Sequence, residues 1–247
     1  FVAVKEDMFG WFGGMPDLSE LESAENSIAS ELYSADGVLL GKYFRENRSP
    51  VTYQELPQNL IDALVATEDI RFEDHSGIDL ISLGRVVSGI LTFNLKGGGS
   101  TISQQLAKNL FNMRRDQRFE GDLTRMEEGE RRGKLNYLLN IVIIKTKEWI
   151  QSVRIERAYT KKEIMTMYFN TVDFGRNAFG IKVASQTYFN KLPHELDIQE
   201  CAVLVGMLKA PSKYNAITNP ESSEIRRNVV LGQMKQYNFV NHEEYDS

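Results

Sequence analysis

The sequence predicts a mainly α-helical domain opened by a small β-hairpin, and three observations carry that prediction. Apolar residues recur at helical spacing in most segments from Pro57 onward. An Asp-Gly pair, Asp36-Gly37, separates two strand-like runs within Ile28 to Phe44, which is a strong hairpin signal. With 247 residues and 42% hydrophobic content, the chain can bury one sizeable core, which can divide into two lobes.

The charge pattern narrows the function classes. A formal charge of -5 and a pI near 5.4 argue against a general nucleic-acid binder, which would carry a basic footprint. Beneath that average, residues 1 to 34 hold seven acidic side chains against one Lys, whereas residues 131 to 162 hold nine Lys or Arg against two Glu, a net of +7. The middle of the chain is suited to an anion. Cys201 is the only cysteine, so neither an internal disulfide nor a cysteine zinc cluster is available, and its apolar surroundings mark a small core residue. No run of about 18 apolar residues suggests a bilayer span. A first residue of Phe and the lack of a signal peptide suggest a piece of something longer, from which an anchor was removed. Residues 1–27, with no clear period, read as a membrane-proximal or linker segment, 28–238 as the domain, and 239–247 as a C-terminal stub.

Pro57 is placed to be the first residue of a helix that runs to Glu68. Ile61, Leu64 and Val65 share a face, and Glu68, three residues after Val65, falls on it. A carboxylate carried into an apolar wall is suited to general-base work. An exposed helix-end cap beside Asp69 explains the same residue at least as well. His75, with no second His or Cys nearby, reads as a packed imidazole rather than a metal ligand. Ile81 to Phe93 is helical in pattern, with Arg85 in an apolar setting. Gly97-Gly98-Gly99 breaks it, and Thr101 with Gln104 fits a capping box. A glycine loop, hydroxyls and amides at a helix start also make a phosphate site within reach of Lys108, although the Gly-Lys-Ser/Thr ending of a P-loop is missing.

Asn112 to Lys134 is charged and reads as a solvated or mobile insertion. Leu135 to Ile144 is apolar almost all round, which fits a buried helix or one dipping into a bilayer surface; burial is the favoured reading. Lys145 and Glu148 then share a helix face, as an exposed ion pair would, while Lys147 points about 100° away. Lys161 to Asn170, Phe174 to Phe189, Asp197 to Leu208 and Glu221 to Tyr237 all read as helices.

Five ordered motifs in these segments resemble the peptidoglycan glycosyltransferases, glycosyltransferase family 51, the polymerase domain of class A penicillin-binding proteins and of monofunctional transglycosylases. The first, E-D-x-x-F-x-x-H-x-G, is complete at Glu68, Asp69, Phe72, His75 and Gly77. The second, G-G-S-T-I-T-Q-Q, runs from Gly98 to Gln105 with Ser103 for Thr. The third, R-K-x-x-E, has Lys145 and Glu148 with Ile144 in place of Arg. The fourth matches at Lys161, Ile164, Tyr168 and Asn170, with Met165, Thr166 and Phe169 as departures, and the fifth runs from Glu200 to Asn215.

The resemblance implies a lysozyme-like, two-lobed helical domain that polymerises lipid II, with the growing glycan strand as donor and undecaprenyl diphosphate released on inversion to a β-1,4 link. It implies Glu68 as the base that deprotonates the acceptor 4-hydroxyl, and Glu148 as a second catalytic carboxylate near the diphosphate. It carries Arg71, Arg85, Ser100, Gln104, Gln105, Lys108, Lys145 and Lys147 over as substrate contacts. No cofactor is required, although a divalent Mg or Mn ion helps some family members. The implied partners are the membrane surface and the cell-wall synthesis machinery, with no nucleic acid. The implied location is the outer face of the bacterial cytoplasmic membrane, held by a transmembrane helix outside this chain. A lysozyme-like glycosidase and a non-catalytic glycan or lipid-head binder are the competing readings. No S-x-x-K or K-T-G element occurs, so peptide crosslinking is not expected.

Overall fold

The structure, a computed structural model, describes residues 30–33, 36, 39–43, 50–91, 99–111 and 131–240, with side chains described except at 30–33, 39–43, 86–91 and 131–141. β1 (Ser30–Tyr33) and β2 (Leu39–Tyr43) form an antiparallel pair with a register shift between Leu32 and Tyr33. Apart from Asp36, the residues of the expected Asp-Gly turn lie outside the described set. From residue 58 onward the described chain is mainly helical: α1 (Gln58–Glu68), α2 (Leu80–Leu91), α3 (Ile102–Leu110), α4 (Arg131–Ala158), α5 (Lys161–Thr171), α6 (Ile181–Phe189), α7 (Ile198–Leu208) and α8 (Pro220–Gln236).

The described residues divide into two compact units, one drawn from 73–164, the other from 30–72 and 165–240. In the first, α3 packs against α4 and buries Ile102, Leu106, Ala107 and Ile155 completely. In the second, α1, α7 and α8 pack on one another around Leu60, Leu64, Leu204, Val230 and Met234. Tyr168 and Phe169 lie edge to face, 5.7 Å between ring centres, and are also fully buried. Caps explain where several helices begin. Thr160 and Glu163 bond reciprocally at the start of α5, and Asp197 and Glu200 do so at α7, each meeting N–H groups that a helix start leaves unpaired.

Several expectations need correction. Phe174 to Gly180 is not helical: Gly175, Arg176, Asn177 and Gly180 have positive φ, and the Ala178 N–H donates to the Gly175 carbonyl at 2.9 Å. This is a two-residue turn with both central φ positive, the twist that suits a tight hairpin, and Asp173 bridges to Phe179 beside it. The helix therefore starts only at Ile181. Pro57 caps α1 from just outside rather than forming its first residue. α4 begins at Arg131, so the charged segment thought mobile up to Lys134 contributes helix at its end, while 112–130 lie outside the described residues. Val142 is exposed rather than in a core, and the side chains from Leu135 to Ile141 are outside the described set. Arg85 is also exposed, donating to Ser82 Oγ at 3.1 Å, and not in an apolar setting. Among the described residues, no helix is long and apolar enough to cross a membrane.

Candidate functional site

The first unit is organised around one carbonyl. Gly77 adopts φ +91°, and a Cβ there would meet backbone atoms of Ser152 and Val153 in α4 at 2.7 to 2.9 Å, so only glycine lets this loop lie so close to the helix. The Gly77 carbonyl then accepts three side-chain bonds: from Thr101 Oγ1 at 2.8 Å, Gln104 Nε2 at 3.0 Å and Ser152 Oγ at 3.1 Å. Only half of the expected capping box forms. Thr101 Oγ1 does accept from the Gln104 N–H, but the Gln104 side chain turns to Gly77 instead of back to the cap.

At the start of α3, Ser100 meets α4. Lys145 Nζ donates to Ser100 Oγ at 3.1 Å and contacts Glu148 Oε2 directly. The pair is not the exposed one that spacing suggested. Glu148 is only 1% exposed, whereas the Lys145 side chain keeps 35% of its surface in solvent. The buried carboxylate and the Ser100 hydroxyl together fix the position of an ammonium whose side chain stays partly open to solvent. Gln104 Oε1 and Glu148 Oε1 are both buried with no protein donor.

The remaining candidates divide clearly. Gln105 and Lys108 are half-buried along α3, while Lys147 is 7% exposed and so offers a ligand little of its surface. Glu68 and Arg71 belong to the second unit and are half-buried there. Glu68 is the last residue of α1 and is half-covered, between the two readings that spacing left open, a carboxylate sunk in an apolar wall and an exposed helix-end cap. Burial pushes the Tyr168 phenol well above its ordinary value, and the Glu68 charge adds to that shift, placing the two in electrostatic reach. Among the described residues, no three His, Cys, Asp or Glu side chains gather where they could hold a metal.

Sequence reasoning passed over Ser152 and Glu156. Both continue the stripe begun by Lys145 and Glu148 at helical spacing, which was the available signal. Ser103 was noted only as a motif variant, yet its hydroxyl donates to Glu156 inside the unit.

Residues 36–235 match the family model described as Transglycosylase. Penicillin-binding protein 1A of Aquifex aeolicus is 36% identical over 247 residues, which is 100% of this chain and 31% of that one. Penicillin-binding protein 1A of Escherichia coli is 34% identical over 233 residues, 94% of this chain and 25% of that one. A crystal structure of penicillin-binding protein 1A from Haemophilus influenzae aligns with TM-score 0.46 and 25% identity, covering 89% of this chain and 20% of that one. The chain thus spans between 25% and 31% of the length of the first two relatives.

Proposed function

The chain belongs to the transglycosylase family, and from that membership we propose that it polymerises lipid II into peptidoglycan glycan strands at the outer face of the cytoplasmic membrane. The observation that carries the reading is Lys145, an ammonium held between Ser100 at a helix start and the buried Glu148. A glycosyl diphosphate leaves readily once its charge is neutralised, and a cation fixed in position supplies that neutralisation without reorganising during the reaction.

In this reading Glu68 takes the proton from the acceptor 4-hydroxyl as that oxygen attacks the donor's anomeric carbon, and the diphosphate departs from the opposite face. This is the base half of an inverting glycosidase with a sugar hydroxyl in place of water. Lys145 and Ser100 hold the diphosphate, and Glu148, only 1% exposed, orients the leaving group through the Lys145 ammonium that it fixes. Gln105 and Lys108 along α3, with Arg71 and Arg85, contact the substrate, and Gln104, 2% exposed, sets the start of α3 through its bond to Gly77. Lys147, mostly buried, shapes the local field more than it touches the ligand. No cofactor is needed; a magnesium or manganese ion would add neutralisation at the diphosphate.

The test feeds labelled lipid II to the chain and to Glu68→Gln and Glu148→Gln. Polymer from the unaltered chain and a loss of about 10²- to 10⁴-fold in each variant support the reading. Shortening of finished glycan strands would favour the glycosidase, in which a neutral bond gives Lys145 nothing to neutralise. An unaltered chain that binds lipid II but makes no polymer would favour a binding module.

A further inference from the structure

We propose that Glu156 is a positioning residue for the Ser100–Gln104 wall of the first unit, acting through Lys161 on the His75–Gly77 segment. The inference rests on the glycosyl-transfer reading above. The Glu156 side chain is 4% exposed, and its carboxylate takes the Ser103 hydroxyl and the Lys161 ammonium, the latter at 2.8 Å to Oε1 and 2.7 Å to Oε2. A buried ion pair is a poor source of stability, because desolvation offsets most of the attraction. What this pair supplies is geometry.

Lys161 also donates to the His75 carbonyl at 2.6 Å, so the charge of Glu156 holds the ammonium that in turn holds the loop. Two residues on, the Gly77 N–H donates to His75 Nδ1 at 3.2 Å, and the Gly77 carbonyl anchors Thr101, Gln104 and Ser152. A shift of His75 therefore moves the Gly77 oxygen and, with it, the Gln104 amide and the start of α3 beside Lys145. Through Ser103 the same carboxylate grips α3 a second time. Glu156 bonds to neither Ser100 nor Gln104 and acts on them through this chain of bonds.

The experiment uses the 247-residue chain with Glu156→Gln, Lys161→Met, the double variant and Lys161→Arg. Lipid II polymerisation kinetics, thermal midpoint and amide hydrogen exchange are measured on each. A misplacement of about 1 Å at a reacting contact costs up to about 100-fold, so each of the first two variants is expected to lower kcat by about 10- to 100-fold with KM changed far less. The double variant should fall no further than the worse single, since both break one chain of bonds. Lys161→Arg, which keeps a cationic donor, should recover most of the rate. Amides of His75–Gly77 and Thr101–Gln105 should exchange faster in the impaired variants, while those of the second unit keep their protection.

A lowered thermal midpoint with unchanged kcat per folded molecule would overturn the proposal, leaving Glu156 a structural group. So would a double-variant loss equal to the product of the singles. If Glu156→Gln does not fold, Ser103→Ala, which removes one hydroxyl from the same carboxylate, carries the same expectation in smaller degree. If the unaltered chain makes no polymer, the functional reading fails, and the exchange measurement still decides this inference.

Discussion

Gly77→Ala puts the organisation of the first unit to its hardest test. The backbone there has φ +91°, where a residue with a side chain is strained by about 1–3 kcal/mol. The added methyl would also meet the Ser152 carbonyl carbon at 2.7 Å, its oxygen at 2.8 Å and the Val153 nitrogen at 2.9 Å. These are backbone atoms of a helix, so relief has to come from moving the loop away from α4. That movement strains the bonds from Thr101, Gln104 and Ser152, each with a net worth of about 1 kcal/mol. The expected destabilisation of the first unit is about 3–5 kcal/mol, in the range that single substitutions reach only through a specific mechanism. Urea unfolding followed by amide exchange in α3 and α4 measures it. Gly84→Ala serves as the control, since a Cβ at Gly84 meets nothing within 4 Å and helix propensity alone predicts a gain of about 0.5–1 kcal/mol. A loss below about 1 kcal/mol at Gly77 would show that the loop relaxes freely and that its carbonyl is not the organising acceptor.

Two further outcomes test the second unit. Arg176 sits at φ 54° in the turn after Gly175, a conformation that costs a non-glycine residue about 1–2 kcal/mol, so Arg176→Gly should raise stability by about 1 kcal/mol in urea unfolding. Cys201 is fully buried, and burial, aided by the charges of Asp197 and Glu200, pushes its thiol up to about 12. At pH 8 a thiol-specific reagent should leave the native chain unmodified and react fully in denaturant. Because the folded value is raised, the contribution of the neutral thiol to stability is present below the ordinary value of 9.0 and is lost as pH climbs toward 12. Cys201→Ala should flatten the alkaline limb of the stability profile; an unchanged limb would assign it to other groups.

Helix existence was legible because apolar spacing and caps agree locally: Asp197 with Glu200 and Thr160 with Glu163 mark real starts. The stretch from Phe174 to Gly180 misled because Phe174, Ala178 and Ile181 fall at helical spacing, whereas the decisive information lay in the glycines. Gly175 and Gly180 take positive φ and allow the chain to double back, and Gly180 lies 2.9 Å from the Asn170 carbonyl at the point where a Cβ would sit. Burial of the two acids was not legible: spacing left Glu68 open between an apolar wall and an exposed cap, and it suggested an exposed pair for Glu148, which is buried. Spacing shows which face carries a residue but not whether another element covers that face. Glu68 closes α1, where cover is thin, while Glu148 lies inside a 28-residue helix whose face is packed against α3. The Gly77 interactions join residues 77, 101, 104 and 152, a separation in sequence that no local pattern encodes.

The hydrogen bonding of the first unit is distributed unevenly. The Gly77 oxygen accepts three donors, whereas Gln104 Oε1 and Glu148 Oε1, equally buried, receive none from the protein. Each unmet buried acceptor costs about 1–3 kcal/mol, which the fold could have avoided with apolar residues of similar size. Gln104 cannot turn its oxygen inward without giving up the Gly77 bond, and Glu148 is held by Lys145 through its other oxygen. The scaffold thus holds two buried acceptors in place at that cost. Both side chains are thereby committed to the scaffold, the amide securing the Gly77 loop and the carboxylate fixing Lys145, whose partly exposed side chain is the group of this cluster left open to solvent.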